Sequence, residues 1–76
     1  MIVRVHCFGG SRLAAPMAWA DLIDGNTVEI FDPNYPQLNG TWFVDDSDPI
    51  AYEVVPLDRV PDEVYAALAK YRLENS

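Results

Sequence analysis

Short stretches of alternating apolar and polar residues recur along the chain and predict β-strands. In the first, residues 1–8, Val3 and Val5 fall on one side of an extended chain while Arg4 and His6 fall on the other. Glycine, proline, asparagine and aspartate cluster between the apolar stretches, as turns and loops require. Three further stretches rich in β-branched and aromatic residues are predicted strands: 27–31, 41–44 and 50–55.

Residues 12–24 fit two local structures. We favour a short helix over 16–23, with Pro16 in its first turn, Trp19 and Ile23 four residues apart on one face, and Gly25 as the stop signal. The alternative is an irregular loop held in place by the indole of Trp19.

The strands at 41–44 and 50–55 are joined by five polar residues, 45–49, a length typical of a hairpin connection. We therefore expect these two strands to pair with each other in antiparallel orientation.

The C-terminal segment predicts a helix of about twelve residues. Pro61 suits the first helical position, and apolar residues recur at Val64, Leu68 and Tyr71, which share one helical face. A helix this short is marginal in isolation, so we expect this apolar face to pack on the sheet.

Together these elements predict one α+β domain over residues 1–76, a small twisted antiparallel sheet of about four strands with the C-terminal helix packed on it. The strands could close into an SH3-like barrel, or form a β-grasp arrangement if 16–23 is a helix that crosses the sheet. Residues 1–13 resemble the start of the small sulfur-carrier β-grasp proteins, whose function depends on a C-terminal Gly-Gly. This chain ends Leu73-Glu74-Asn75-Ser76, so that function is not carried over.

Charge distinguishes the middle of the chain from its ends. The net charge is −7, and residues 21–63 contain eleven acidic residues against the single cation Arg59. Such a field repels nucleic acid and anionic membranes and attracts basic protein surfaces. With one cysteine, no signal-peptide pattern and no apolar stretch of membrane-spanning length, a cytoplasmic location is expected.

The residues capable of catalysis or metal binding do not form a recognisable set. His6 and Cys7 are neighbours on a predicted strand and so point to opposite faces, which makes Cys7 an expected buried core thiol. The acids around 45–48 offer oxygen ligands for calcium but lack the spacing of an EF-hand loop. We therefore predict no enzyme activity, no cofactor and no bound metal.

Acidic and aromatic residues occur together between positions 29 and 53. In the 41–44 strand, Thr41 and Phe43 face one way and Trp42 and Val44 the other, so one of the two large rings is expected at the surface unless the helix covers it. An exposed ring among carboxylates suits binding to a basic protein, whereas rings that are all in the core would leave only solvated acids. The predicted partner-binding residues are Glu29, Asp32, Tyr35, Trp42, Asp45, Asp46, Asp48 and Glu53.

The function that best fits these features is a non-catalytic, acidic protein-binding module. Its size and charge resemble those of inhibitors with which phages and mobile elements block host nucleic-acid-binding enzymes, such as CRISPR effectors, restriction enzymes or RNA polymerase. One alternative is an accessory or structural subunit of a larger assembly. A second alternative is a domain that binds a small ligand or a divalent metal.

Overall fold

A computed structural model describes residues 1–6, 17–43 and 50–75 of the chain. These residues form an open, five-stranded antiparallel sheet with one C-terminal helix, which confirms the predicted small α+β fold and shows that the sheet does not close into a barrel. The strand order across the sheet is β4-β3-β2-β1-β5. The elements are β1 (Ile2–His6), β2 (Met17–Asp24), β3 (Thr27–Ile30), β4 (Gly40–Phe43), β5 (Tyr52–Val54) and α1 (Asp62–Glu74), with 3-10 turns at Pro36–Leu38 and Leu57–Arg59.

Strand alternation divides the core into two layers. We call the side of the sheet on which α1 packs the helix face, and the other side the opposite face. The opposite face is built from small and β-branched residues that are fully buried: Val3, Val5, Ala18, Ala20, Val28 and Ile30. The helix-face layer consists of Ile2, Phe31, Val60, Val64, Leu68 and Tyr71, with Trp19, Val55 and Ala67 packed beside it.

The expected helix at 16–23 is wrong, because Met17–Asp24 forms strand β2. Ala18 and Ala20 alternate with Trp19 and pair with Val5 and Val3 of β1, which places both alanines in the opposite-face core. Burial at every second residue, together with pairing to β1, outweighs the helix propensity of alanine. The β-grasp alternative required a helix at 16–23 that crosses the sheet. Because residues 17–24 form a strand, that alternative is not supported.

The predicted pairing of the strands at 41–44 and 50–55 is also wrong. β4 pairs with β3 and β5 pairs with β1, so the two strands lie at opposite edges of the sheet. β5 pairs with β1 and not with β4, because β1 has one edge that β2 does not occupy. β5 lies along that edge, beside the fully buried Val3 and Val5. A short connection permits a hairpin but does not enforce one.

The C-terminal helix agrees with the sequence pattern. It runs from Asp62 to Glu74, and Val64, Leu68 and Tyr71 are its buried residues. Pro61, which was predicted at the first helical position, is the N-cap, and the helix begins one residue later at Asp62. No helix in the described part of the chain is long and apolar enough to cross a membrane.

Asp32 joins the ends of three strands. Its side chain is 1% exposed, and it accepts hydrogen bonds from the backbone N–H of Trp19 at Oδ2 (2.9 Å) and of Asn34 at Oδ1 (2.7 Å). The guanidinium of Arg4 lies 3.7 Å from Oδ2, stacks over the Trp19 ring at 4.6 Å and donates to the Met17 carbonyl (2.7 Å). Buried carboxylates persist when they are paired and hydrogen-bonded in this way.

Replacing Leu68 with alanine is expected to lower the free energy of unfolding by about 2–4 kcal/mol, because it leaves a cavity between α1 and the sheet. Urea denaturation provides the measurement. Leu73→Ala is the matched control, since Leu73 lies on the same helix and is exposed, and it should change stability by no more than about 0.5 kcal/mol. Equal midpoints for the two variants would contradict the packing described here.

Asp32→Asn is expected to destabilise the fold by about 1.5–3 kcal/mol, the usual contribution of a hydrogen bond to a charged group. The amide keeps an acceptor for the Asn34 N–H but turns a donor toward the N–H of Trp19 and the guanidinium of Arg4. Urea denaturation of this variant is compared with that of Glu53→Gln, which removes a carboxylate from an exposed position. An unchanged midpoint for Asp32→Asn would rule out a structural role for this carboxylate.

Candidate functional site

The predicted partner-binding residues do not form one continuous surface. Glu29 lies on β3 and Glu53 on β5, three strand spacings apart, which is about 14 Å across the sheet. Asp32 is buried and engaged by Arg4 and backbone N–H groups, so it stabilises the fold and is not available to a partner. Residues 45–48, which include the three acids of the predicted binding loop, lie outside the described residues, as does Cys7.

The two predicted anchor rings are half-buried. The indole of Trp42 packs against the opposite-face core, and its Nε1–H donates to the Leu38 carbonyl at 2.8 Å. Tyr35 precedes the 3-10 turn and is also half-buried. Most of both rings therefore contributes to the fold.

Phe43 is the exposed ring. It is 78% exposed at the end of β4, which confirms that one of the two adjacent large rings lies at the surface. It stands opposite Thr27 of β3. Ile23, the extra residue of a bulge opposite the same threonine, is 54% exposed. Phe43 and Ile23 are thus two exposed apolar side chains next to Thr27.

The position of α1 explains why this area is uncovered. The helix packs against Ile2 of β1 and Trp19 of β2, and Arg72 near its end donates to Asp21 of β2 at 3.1 Å. Its contacts therefore centre on the β1–β2 half of the helix face. Outside these contacts lie the residues that we name the β4 edge surface: Ile23 near the end of β2, Thr27 and Glu29 of β3, and Thr41 and Phe43 of β4.

The β4 edge surface contains one carboxylate, Glu29, and no cation, and it lies within a part of the sequence that is rich in acids. Residues 13–58 contain nine acids and no lysine, arginine or histidine. Among the described residues, Asp21 pairs with the Met1 amino group and with Arg72, and Asp32 pairs with Arg4. Glu29, opposite Thr41 in the register, has no cationic partner in this set. Its charge therefore remains available to a partner.

Within the described ranges, no three His, Cys, Asp or Glu residues lie close enough to hold a metal ion. His6 is exposed at the end of β1. The acidic loop at 45–48 lies outside these ranges, as does Cys7, so the expectation of no bound metal stays a prediction.

Sequence reasoning missed Phe43, Ile23 and Thr41 as surface residues of the site. The alternation in 41–44 separated Phe43 from Trp42 correctly. Choosing the exposed ring also required the strand order and the position of the helix, which are non-local features. For Ile23, the assignment to a helix concealed its place in the β2 bulge.

The chain matches no protein-family model, and no curated protein or solved structure is significantly similar to it.

Proposed function

We propose that this chain is a non-catalytic module that binds a basic protein surface, with Phe43 as the apolar anchor and the surrounding carboxylates as steering charges. The observation that carries the proposal is the 78% exposure of Phe43 beside the unpaired Glu29. Aromatic anchors contribute most of the binding free energy in many interfaces, whereas charges around them mainly raise association rates.

A basic surface is also what nucleic-acid-binding enzymes present to their substrates. A module with this charge competes with nucleic acid for such a surface, which supports the narrower proposal of an inhibitor of a phage or mobile-element type. CRISPR effectors, restriction enzymes and RNA polymerase are the target classes with that property.

An accessory subunit is the second candidate, and one observation favours it. Several large apolar side chains besides Phe43 are exposed, among them Met1, Leu57 and Leu73. Obligate interfaces are more apolar than transient ones, so a subunit of a stable assembly would bury these residues permanently. Such binding would be insensitive to salt, unlike binding to a basic surface.

Phe43→Ser is expected to abolish partner capture. Tagged wild-type chain, Phe43→Ser and Tyr52→Ser are used to pull down proteins from cell lysate at low and high salt, followed by mass spectrometry. Tyr52 is the matched control, because it is an exposed aromatic residue on the opposite edge strand. Loss of an anchor costs about 2 kcal/mol or more, roughly thirtyfold in Kd, through faster dissociation.

We expect a basic protein that wild type and Tyr52→Ser retain at low salt and that Phe43→Ser does not. A partner retained equally by all three chains at high salt would contradict the proposal and favour the accessory subunit.

Replacing Asp45, Asp46 and Asp48 together with asparagine is expected to slow association with that partner and to flatten its salt dependence, with little change in dissociation. Surface plasmon resonance at two salt concentrations separates these rates. The matched control removes the same number of charges from exposed positions elsewhere, with Asp58→Asn, Glu63→Gln and Glu74→Gln. If both triple variants slow association equally, net charge and not the 45–48 loop steers the partner.

A further inference from the structure

We propose that the outer edge of β4 pairs with an extended, basic segment of the partner, which adds a sixth strand to the sheet. This inference rests on the proposed function and specifies how the β4 edge surface binds. Three features carry it: the direction of the β4 backbone groups, the exposed side chains along the edge, and the charge of Glu29, which forms no ion pair among the described residues.

The hydrogen bonds of β3 fix which of its residues face β4. The Phe31 N–H donates to the Trp19 carbonyl of β2 at 3.1 Å. In an antiparallel ladder, alternate residues direct their backbone groups to opposite sides, so Glu29 also faces β2. Val28 and Ile30 therefore direct their N–H and C=O groups toward β4.

The same alternation continues into β4. Trp42 and Gly40 lie opposite Val28 and Ile30, and their backbone groups complete those bonds. The N–H and C=O groups of Thr41 consequently point away from the sheet. Because the direction alternates along the strand, those of Phe43 also point away from the sheet. No described strand lies on that side of β4.

The β4 edge also lacks three of the features that usually prevent strand addition. Natural edge strands are blocked by proline, lysine or inward-pointing charge, and Gly40–Phe43 (GTWF) contains none of these. The side chains of Thr41 and Phe43 are both exposed on the helix face. An added strand would therefore meet free backbone groups and an uncovered aromatic ring together.

The charges specify the sequence of the added strand. A residue opposite Phe43 is best apolar, because cross-strand aromatic pairs favour β-branched or aromatic partners. A residue opposite Thr41 is best lysine or arginine, since its long side chain extends across the small threonine toward Glu29, about 10 Å or two strand spacings away. The partner segment thus carries a basic and an apolar residue two positions apart on one face.

The edge at β5 is a poorer site for such a segment. Its ladder with β1 turns the backbone groups of Tyr52 and Val54 outward in the same way. Its single charge, Glu53, stands opposite Arg4, and the exposed His6 lies on the same neighbouring strand. A basic segment gains less there than beside Glu29, which forms no ion pair among the described residues.

The test uses the full chain and a synthetic peptide, acetylated and amidated, with the repeat Thr-Lys-Thr-Val over ten residues. The matched peptide replaces each lysine with glutamate. Calorimetry gives the affinity of each, and amide hydrogen exchange followed by NMR reports single residues. We expect the lysine peptide to bind about tenfold or more tightly than the glutamate peptide. We also expect it to slow exchange at Thr41 and Phe43 by about tenfold or more, while Tyr52 and Val54 are unchanged.

Thr41→Pro gives a second measure. Proline removes an outward N–H and blocks strand addition, but it removes no bond to β3. Val54→Pro is the matched control on the other edge, where the N–H is also outward. Thr41→Pro should weaken binding of the lysine peptide by about tenfold, and Val54→Pro should leave it unchanged. The exchange data on wild type decide the question if either variant fails to fold.

The outcomes separate the inference from the proposed function. Binding of the lysine peptide without slowed exchange at Thr41 and Phe43, or with slowed exchange at Tyr52 and Val54, would overturn strand addition at β4 and leave a basic-surface module standing. Binding to neither peptide would overturn both. Protection of Thr41 and Phe43 in the chain alone, with a dimer in analytical ultracentrifugation, would assign the edge to a second copy and also overturn the inference.

Discussion

In the described part of the chain, one helix packs on one face of a five-stranded sheet. The helix is narrower than the sheet, and the candidate site lies where the helix does not reach. Five strands span four spacings, about 19 Å, whereas a helix with its side chains is about 10 Å wide. The apolar side of α1 packs over β1 and β2, where Ile2 and Trp19 meet Leu68 and its neighbours. The β3–β4 half of the same face therefore stays uncovered, and Phe43 is exposed there although its neighbour Trp42 packs into the core.

Three positive groups in the described part of the chain accompany buried carboxylates. Arg4 accompanies the buried Asp32, and the Met1 amino group and Arg72 accompany Asp21. A buried carboxylate requires such partners far more than a solvated one does. With these positive charges engaged in the β1–β2 half of the molecule, Glu29 of β3 forms no ion pair among the described residues. The asymmetry of charge at the surface thus follows from the pairing of charges in the interior.

The sequence pattern alone predicted the elements in which buried residues recur at a regular spacing. It did not predict the elements whose structure depends on which strands pair. Val64, Leu68 and Tyr71 repeat at helical spacing, and their helix forms where that spacing predicts it. In 16–23, Trp19 and Ile23 have the spacing of one helical face, whereas Ala18 and Ala20 have the spacing of one strand face, and only pairing with β1 resolves the segment as a strand. The partners of β4 and β5 are likewise set by which strand edges lie free, a property of the assembled sheet. The buried role of Asp32 had no local signal, because its Asx turn with Asn34 is also common in exposed loops.

An open strand edge is normally a hazard, because copies of the same chain can pair along it. In this protein the net charge of −7 opposes that pairing, since two copies would bring together carboxylates such as Glu29 without intervening cations. Repulsion between copies and attraction for a basic strand are two consequences of the same charges. In the strand addition that we propose, the net charge disfavours self-association at this edge, long-range charge supplies the selectivity, and backbone groups and Phe43 supply the contacts.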